Sequence, residues 1–243
     1  MQTIKLITRA TVALMIAIAV PAAANQERPS DVARLRAVAT DYADCVVARY
    51  PAMAVDSVVN DLPNDEISER HRRLNSVSCM GDARTGNVSG VAFRGDTFRY
   101  MLAEGLVRLH YATSGPTDFA AVPALERRPV TPLDETALAT MNHRRAQEIR
   151  DSHATAMGLR TMAMLGECVA RRNPEAVRGL ALTQPATPEE SAALATVQPA
   201  IGSCLPTGAT VRLNRAIIRG SLLHNYYRLA HAAQPPATTT AAR

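Results

Sequence analysis

Two stretches decide the fold: Cys45-Val46-Val47-Ala48-Arg49-Tyr50-Pro51 and Cys168-Val169-Ala170-Arg171-Arg172-Asn173-Pro174. Both read C-V-x-x-R-x-P. Each is followed by a second cysteine, Cys79 after 34 residues and Cys204 after 36. Beyond each cysteine pair lies a helix-patterned segment, and the two segments align without gaps at an offset of 120. Phe98, Leu102, Leu106 and Leu109 then match Ile218, Leu222, Tyr226 and Leu229. Their spacing of four, four and three makes one apolar stripe along a helix. Arg99 matches Arg219, and Arg108 matches Arg228. The matches fall at cysteines, helix-ending prolines and core stripes, which are positions a fold requires. The pattern therefore predicts an all-α protein of two tandem, disulfide-stapled helical repeats, about eight helices in all. It says little about chemistry.

Local signals fill in the units. In the first repeat (25–113), Ser30 and Asp31 suit a helix start, and Leu35, Val38, Tyr42 and Cys45 fall on one face. Pro51 ends that helix. A short apolar segment, Met53 to Val59, precedes Pro63, and Asn64-Asp65 starts a helix running towards Cys79. A loop from Gly81 to Gly90 follows, then a helix capped by Asp96 and closed by Gly115-Pro116. Residues 114–132 hold Pro116, Pro123, Pro129 and Pro132 without helical period and read as a linker. The second repeat (133–233) opens with one long helix, about Asp134 to Arg172, bent near Gly158. Thr187-Pro188-Glu189-Glu190 starts the helix leading to Cys204, Asn214 caps the last one, and 234–243 is a polar tail.

Residues 1–24 read as a signal peptide. Lys5 and Arg9 form the basic region, Ala10 to Val20 the apolar run, and Pro21-Ala22-Ala23-Ala24 the cleavage site. The run is too short to span a bilayer, and no later stretch is long and apolar enough to do so. Cleavage of 24 residues from 243 leaves 219. It lowers the basic count from 27 to 25 against 22 acids, a surplus of three, with the basic residues dispersed. That balance gives no basis for nucleic-acid binding. Export permits disulfides. Four cysteines allow three connectivities, and the repeat selects Cys45–Cys79 and Cys168–Cys204.

Catalytic signatures are missing from the chain. There is no C-x-x-C, H-E-x-x-H, G-x-S-x-G or phosphate-binding glycine loop, and no histidine pair near a cysteine. Lys5 is the only lysine, so the mature chain has none for Schiff-base or general-base work. No cofactor or metal is called for. Glu66 with Glu69, and Glu189 with Glu190, read as first-turn helix charges. His71, His110, His143, His153, His224 and His231 stand singly. The repeated arginines are the candidate binding residues: Arg99, Arg219, Arg108 and Arg228, placed to rim a groove between the repeats and hold an anionic partner.

The C-V-x-x-R-x-P turn, Cys204-Leu205-Pro206 and the I-R-G-x-L…Y-R-L helix from Ile218 to Leu229 resemble uncharacterised exported proteins of sphingomonad-type alphaproteobacteria. The resemblance is clearest over residues 160–230. It implies a helical periplasmic protein and brings no activity, substrate or catalytic residue with it. Three functions fit. The first is a non-catalytic periplasmic or secreted protein that binds an envelope partner or serves as an envelope scaffold. The second is a carrier of a small apolar ligand, marked by a wide apolar cavity. The third is a helical enzyme, marked by a cleft that joins His110 or His224 to a buried acid.

Overall fold

A computed structural model of the protein describes residues 29–82, 96–205 and 214–234. The expected signal peptide, most of the loop from Gly81 to Gly90 and the tail beyond 234 lie outside these residues. So do the side chains of Ser30 and Asp31.

The described secondary structure is entirely helical. It runs α1 (Pro29–Arg49), α2 (Pro51–Val59), α3 (Asn64–Arg70), a 3₁₀ turn (Arg72–Leu74), α4 (Val77–Asp82) and α5 (Thr97–Tyr111). It continues with α6 (Glu135–Ala139), α7 (His143–Arg172), α8 (Pro174–Ala181), α9 (Pro188–Cys204) and α10 (Arg215–Ala232). Ten α-helices among the described residues exceed the eight expected.

The C-V-x-x-R-x-P stretches explain part of the excess, because each makes a helix–break–helix. Proline cannot continue the first helix, since its ring clashes with the preceding turn. At the first position of a new helix its missing N–H costs nothing. Tyr50 (φ −134°, ψ 54°) and Asn173 (φ −144°, ψ 62°) make the break with nearly the same backbone. Met53 to Val59 is thereby part of α2, a helix in its own right. Cys45 on α1 bonds Cys79 on α4, and Cys168 on α7 bonds Cys204 on α9, with Cα–Cα distances of 5.6 and 5.9 Å. Arg49 donates to Ser78 Oγ and Arg172 to Ser203 Oγ, in each case the serine just before the second cysteine.

Two expected helices are divided. The one starting at Asn64 stops at Arg70, where His71 leaves helical geometry and its ring meets Asp56 at 2.6 Å. The long one is α6 plus α7. Asp134 caps α6 by accepting from the Ala137 amide, and Asn142 caps α7 by accepting from Arg145. Helix α7 then runs unbroken through Gly158.

Helices α5 and α10 lie side by side at the centre. Helix α5 packs on α1 and α2, and α10 packs on α7 and α8. Phe98, Leu102, Leu106, Ile218, Leu222, Tyr226 and Leu229 are buried in one continuous core, while Leu109 ends the stripe half-exposed. On α1, Val38 and Tyr42 are buried and Leu35 faces solvent. Two glycines allow α10 its close neighbours. A Cβ at Gly220 would lie 2.6 Å from Tyr100 of α5, and one at Gly166 of α7 would lie 2.8 Å from the Ser221 carbonyl. Residues 114–132 form no helix, yet Phe119 is buried with its ring 5.7 Å from Tyr226. Arg171 donates to the carbonyls of Phe119, Val122 and Pro123, which holds this segment against α7.

Candidate functional site

The four arginines of the sequence pattern separate into two charge networks. Arg219 and Arg108 belong to the first. All five Arg219 donors are used: Nε and Nη2 on Glu104 (3.0 and 2.7 Å), Nη1 on Glu190 and Thr183 Oγ1, and Nη2 again on the Thr183 carbonyl. Arg108 bonds Glu104 (2.6 Å) and Asp44 (2.7 Å), and Arg36 makes a two-pronged pair with Glu190 (2.9 and 2.6 Å). Burial opposes ionisation of Glu104, but Arg219 and Arg108 more than offset it and hold the carboxyl below its ordinary range. Burial likewise opposes ionisation of Glu190, which Arg36, the Ala186 amide and Arg219 hold low. Three arginines meet three carboxylates, so this network is closed. It joins α10 to α5, α9 and α1; Arg219 borders a small space of about 110 Å³ beside Arg36 and Glu104.

Arg99 and Arg228 belong to the second network, which centres on Asp61. Arg99 Nη2 bonds Asp61 Oδ1 (3.1 Å) and Asp96 Oδ2 (2.7 Å), and Nη1 reaches the Asp61 and Leu62 carbonyls. Asp96 stands at the N-cap of α5 as expected, but its carboxylate serves Arg99 and makes no cap hydrogen bond. Arg228 donates to the Val59 and Glu126 carbonyls (3.2 and 2.8 Å), with Nη1 3.9 Å from Asp61 Oδ2. Arg128 approaches Asp61 and Asp96 only at 4.0 and 3.8 Å, and Arg127 pairs with Glu167. Asp61 itself has φ 53°, a left-handed backbone that aspartate tolerates better than most residues.

This second network is not closed. Arg99 Nε, Arg228 Nη1, both ring nitrogens of His224 and both side-chain atoms of Asn64 are buried without a hydrogen-bond partner. Such groups cost free energy unless something satisfies them. His224, 1% exposed, sits with Nε2 3.6 Å from Asp61 Oδ1 and its ring 5.6 Å from that of Tyr100. Burial first, then the Arg99 and Arg228 charges, push its basicity well below the ordinary imidazole value, so the ring is neutral. The Val58 backbone acts weakly in the other direction, without a hydrogen bond of good geometry. Burial pushes the Tyr100 phenol up to about 12.

Above these atoms lies a cavity of about 800 Å³. Asp61, Asn64, Arg99, Tyr100, Arg128 and His224 are at its polar floor. Pro129, Val130, Pro132 and Leu133 form one wall, and Leu138 and Met141 come from α6 and the turn after it. Helix α7 supplies the roof with Ile149, Ala156, Leu159 and Ala163, one face at helical spacing, interrupted by Ser152 and His153 and edged by Arg160. Between Ala146 and Leu165 no α7 residue is fully buried. The apolar face of that half-helix therefore lies over open space instead of core. A volume of this size falls within the range of small-molecule sites.

Of the residues singled out in sequence, the structure brings Arg99 and Arg228 into the Asp61 network, where Arg99 alone of the four lines this cavity, and takes Arg108 and Arg219 away from it. His224 is there, and His110 bonds Tyr227 elsewhere (3.0 Å). Sequence reasoning missed Asp61, Asn64 and Tyr100. The available signal was α10, where polar Arg219, His224, Asn225 and Arg228 are all buried. A helix buried on every side must supply partners for such groups. Among the described residues, no cluster of three or more histidine, cysteine or acidic side chains could hold a metal ion, and no helix is long and apolar enough to cross a membrane. Comparison with known protein families, with curated proteins and with solved structures returned no match.

Proposed function

We propose that the protein is an exported, non-catalytic binding protein that takes one small molecule with an apolar body and a polar head into the cavity beneath α6 and α7. The observation that carries this reading is an 800 Å³ apolar-walled space bordered by Asn64, Arg99 and His224, residues with buried polar atoms that find no hydrogen-bond partner within the protein. A scaffold protein has no need of either. The two disulfides suit an oxidising compartment, in keeping with the leader pattern of residues 1–24. The matched breaks at Tyr50 and Asn173, and the matched Arg49–Ser78 and Arg172–Ser203 contacts, support descent of the halves from one duplicated unit.

The test is fluorescence titration of the mature chain with N-phenyl-1-naphthylamine, an uncharged probe that brightens in apolar surroundings. The expected result is saturable one-site binding that is lost in Ala156→Trp, where the indole fills the cavity, with helix content unchanged. Non-saturable partitioning, or equal binding by the variant, would count against the reading. Its mature mass should begin at Asn25.

A second reading, catalysis, draws on His224 beside Asp61 at 3.6 Å. A neutral imidazole against a carboxylate is the geometry of a general base. The deep burial that depresses its basicity makes it a poor one near neutral pH.

A further inference from the structure

We propose that residues 129–141, which carry α6, are a hinged flap over this cavity, and that its outward swing sets how fast a ligand enters and leaves. This inference rests on the binding reading above and adds the route by which the site fills.

The chain changes character at Arg128. Before it, the linker is riveted to the body. Arg171 holds three of its carbonyls, Arg228 holds that of Glu126, Arg127 pairs with Glu167, and Arg160 donates to the Arg128 carbonyl (3.1 Å). Beyond Arg128 these anchors stop. Among the described residues, one polar contact ties residues 129–141 to the rest of the protein: Arg150 of α7 donates to Glu135 at 2.9 Å. The two side chains are 40% and 63% exposed, and such a pair holds weakly and is screened by salt. Leu138 is the only buried residue of the segment, and it is not part of the continuous core. No other helix packs extensively on α6. A segment with so few buried contacts opens at low free-energy cost.

The caps define the hinge. Asp134 accepts from the Ala137 amide inside the flap, and Asn142 accepts from the Arg145 amide inside α7. The amides of Thr140 and Met141 bond back to Ala137 and Leu138. Rotation between residues 141 and 142 therefore breaks neither cap. At the other end Pro129 and Pro132 have no N–H to hold the backbone down. The inner side of the flap gives the cavity Leu133, Leu138 and Met141, with Thr131 and Asp134 beside them. Swinging it out opens the space to solvent and leaves the α5–α10 core in place. Motions of this kind gate many ligand sites.

Two measurements on the mature chain test this. Hydrogen exchange read by mass spectrometry needs no ligand. The α6 amides should exchange about tenfold or more faster than those of α8, another short helix, which packs on α5, α7, α9 and α10. Equal protection would overturn the flap. Stopped-flow fluorescence with N-phenyl-1-naphthylamine then reads the gate in the double variant Glu135→Cys and Arg150→Cys, either bridged by a bismaleimide or capped with N-ethylmaleimide. Both positions are exposed enough for the variant to fold. Bridging should slow association and release together by about tenfold or more against the capped form, with affinity little changed. Equal rates in the two forms would overturn the gating role and leave the binding reading intact. A wild-type chain that does not bind the probe would overturn that reading and the gate with it, while exchange still reports on the flap itself.

Discussion

Arg219 of α10 and Glu104 of α5 meet through two hydrogen bonds of 3.0 and 2.7 Å in the centre of the protein, where Arg219 is 1% exposed. Removing Arg219 leaves three buried or part-buried carboxylates, Asp44, Glu104 and Glu190, to two arginines, Arg36 and Arg108, so one negative charge of the network is stranded. Arg219→Met should destabilise the protein by about 3–5 kcal/mol in urea unfolding. Adding Glu104→Gln should cost much less than the two single changes summed, because the stranded charge is gone.

Helix α7 contains two glycines with opposite surroundings. At Gly166 a Cβ would meet the Ser221 carbonyl at 2.8 Å, and backbone there cannot step aside, whereas at Gly158 nothing lies within 4 Å. Gly166→Ala should therefore destabilise by about 1–3 kcal/mol. Gly158→Ala should stabilise by up to about 1 kcal/mol through helix propensity. Thermal melts of the two variants should move in opposite directions.

Acid should weaken the fold in two stages. His224 is held below the ordinary imidazole value of 6.5, so below pH 6.5 the unfolded chain binds a proton that the folded chain refuses. Stability then falls with pH, by up to about 1.4 kcal/mol per unit from this group. His110, held low by burial and by His231, adds in the same direction. Glu104 and Glu190 are held below 4.5, so their contribution is whole above pH 4.5 and is lost as pH falls from there through their folded values. Urea unfolding at pH 7.5, 6.5 and 5.5 should show the first stage, and His224→Gln should flatten most of it.

Each disulfide closes a loop of similar length, with sequence separations of 34 and 36. On the chain-entropy account, replacing either pair by serine should cost about 3–4 kcal/mol. Both halves feed one continuous core. Either replacement should therefore lower a single cooperative transition instead of melting one half alone.

The cysteine pairing, the proline breaks and the α5 and α10 stripes were legible because local chemistry dictates them. Proline at 51 and 174 stops a helix wherever it stands, and the spacing of Phe98, Leu102 and Leu106 is a property of one helix. The N-caps at Thr187 and Asn214 were read for the same reason. The division of the arginines was not legible. Arg99 and Arg219 occupy matching positions, yet Arg219 faces Glu104 and Glu190, which are 115 and 29 residues away in sequence. Arg99 instead finds Asp61 and Asp96. Asp96 is only three residues from Arg99, but Glu104, Glu190 and Asp61 reach the arginines through the packing of α5, α9, α10 and the turn after α2, which no local pattern encodes. The cavity was hidden for a related reason. The α7 face from Ile149 to Ala163 has core spacing, and only the fold reveals that no core lies beneath it.

The most direct measurement is native mass spectrometry of the protein isolated from its own cells, with the denatured mass alongside. The account predicts that the native spectrum carries one extra small molecule, absent from the denatured spectrum and absent from Ala156→Trp. It also predicts a denatured mass four hydrogens below that of the fully reduced mature chain. Identical bare masses in native and denatured spectra, or an adduct that persists in the cavity-filled variant, would contradict it.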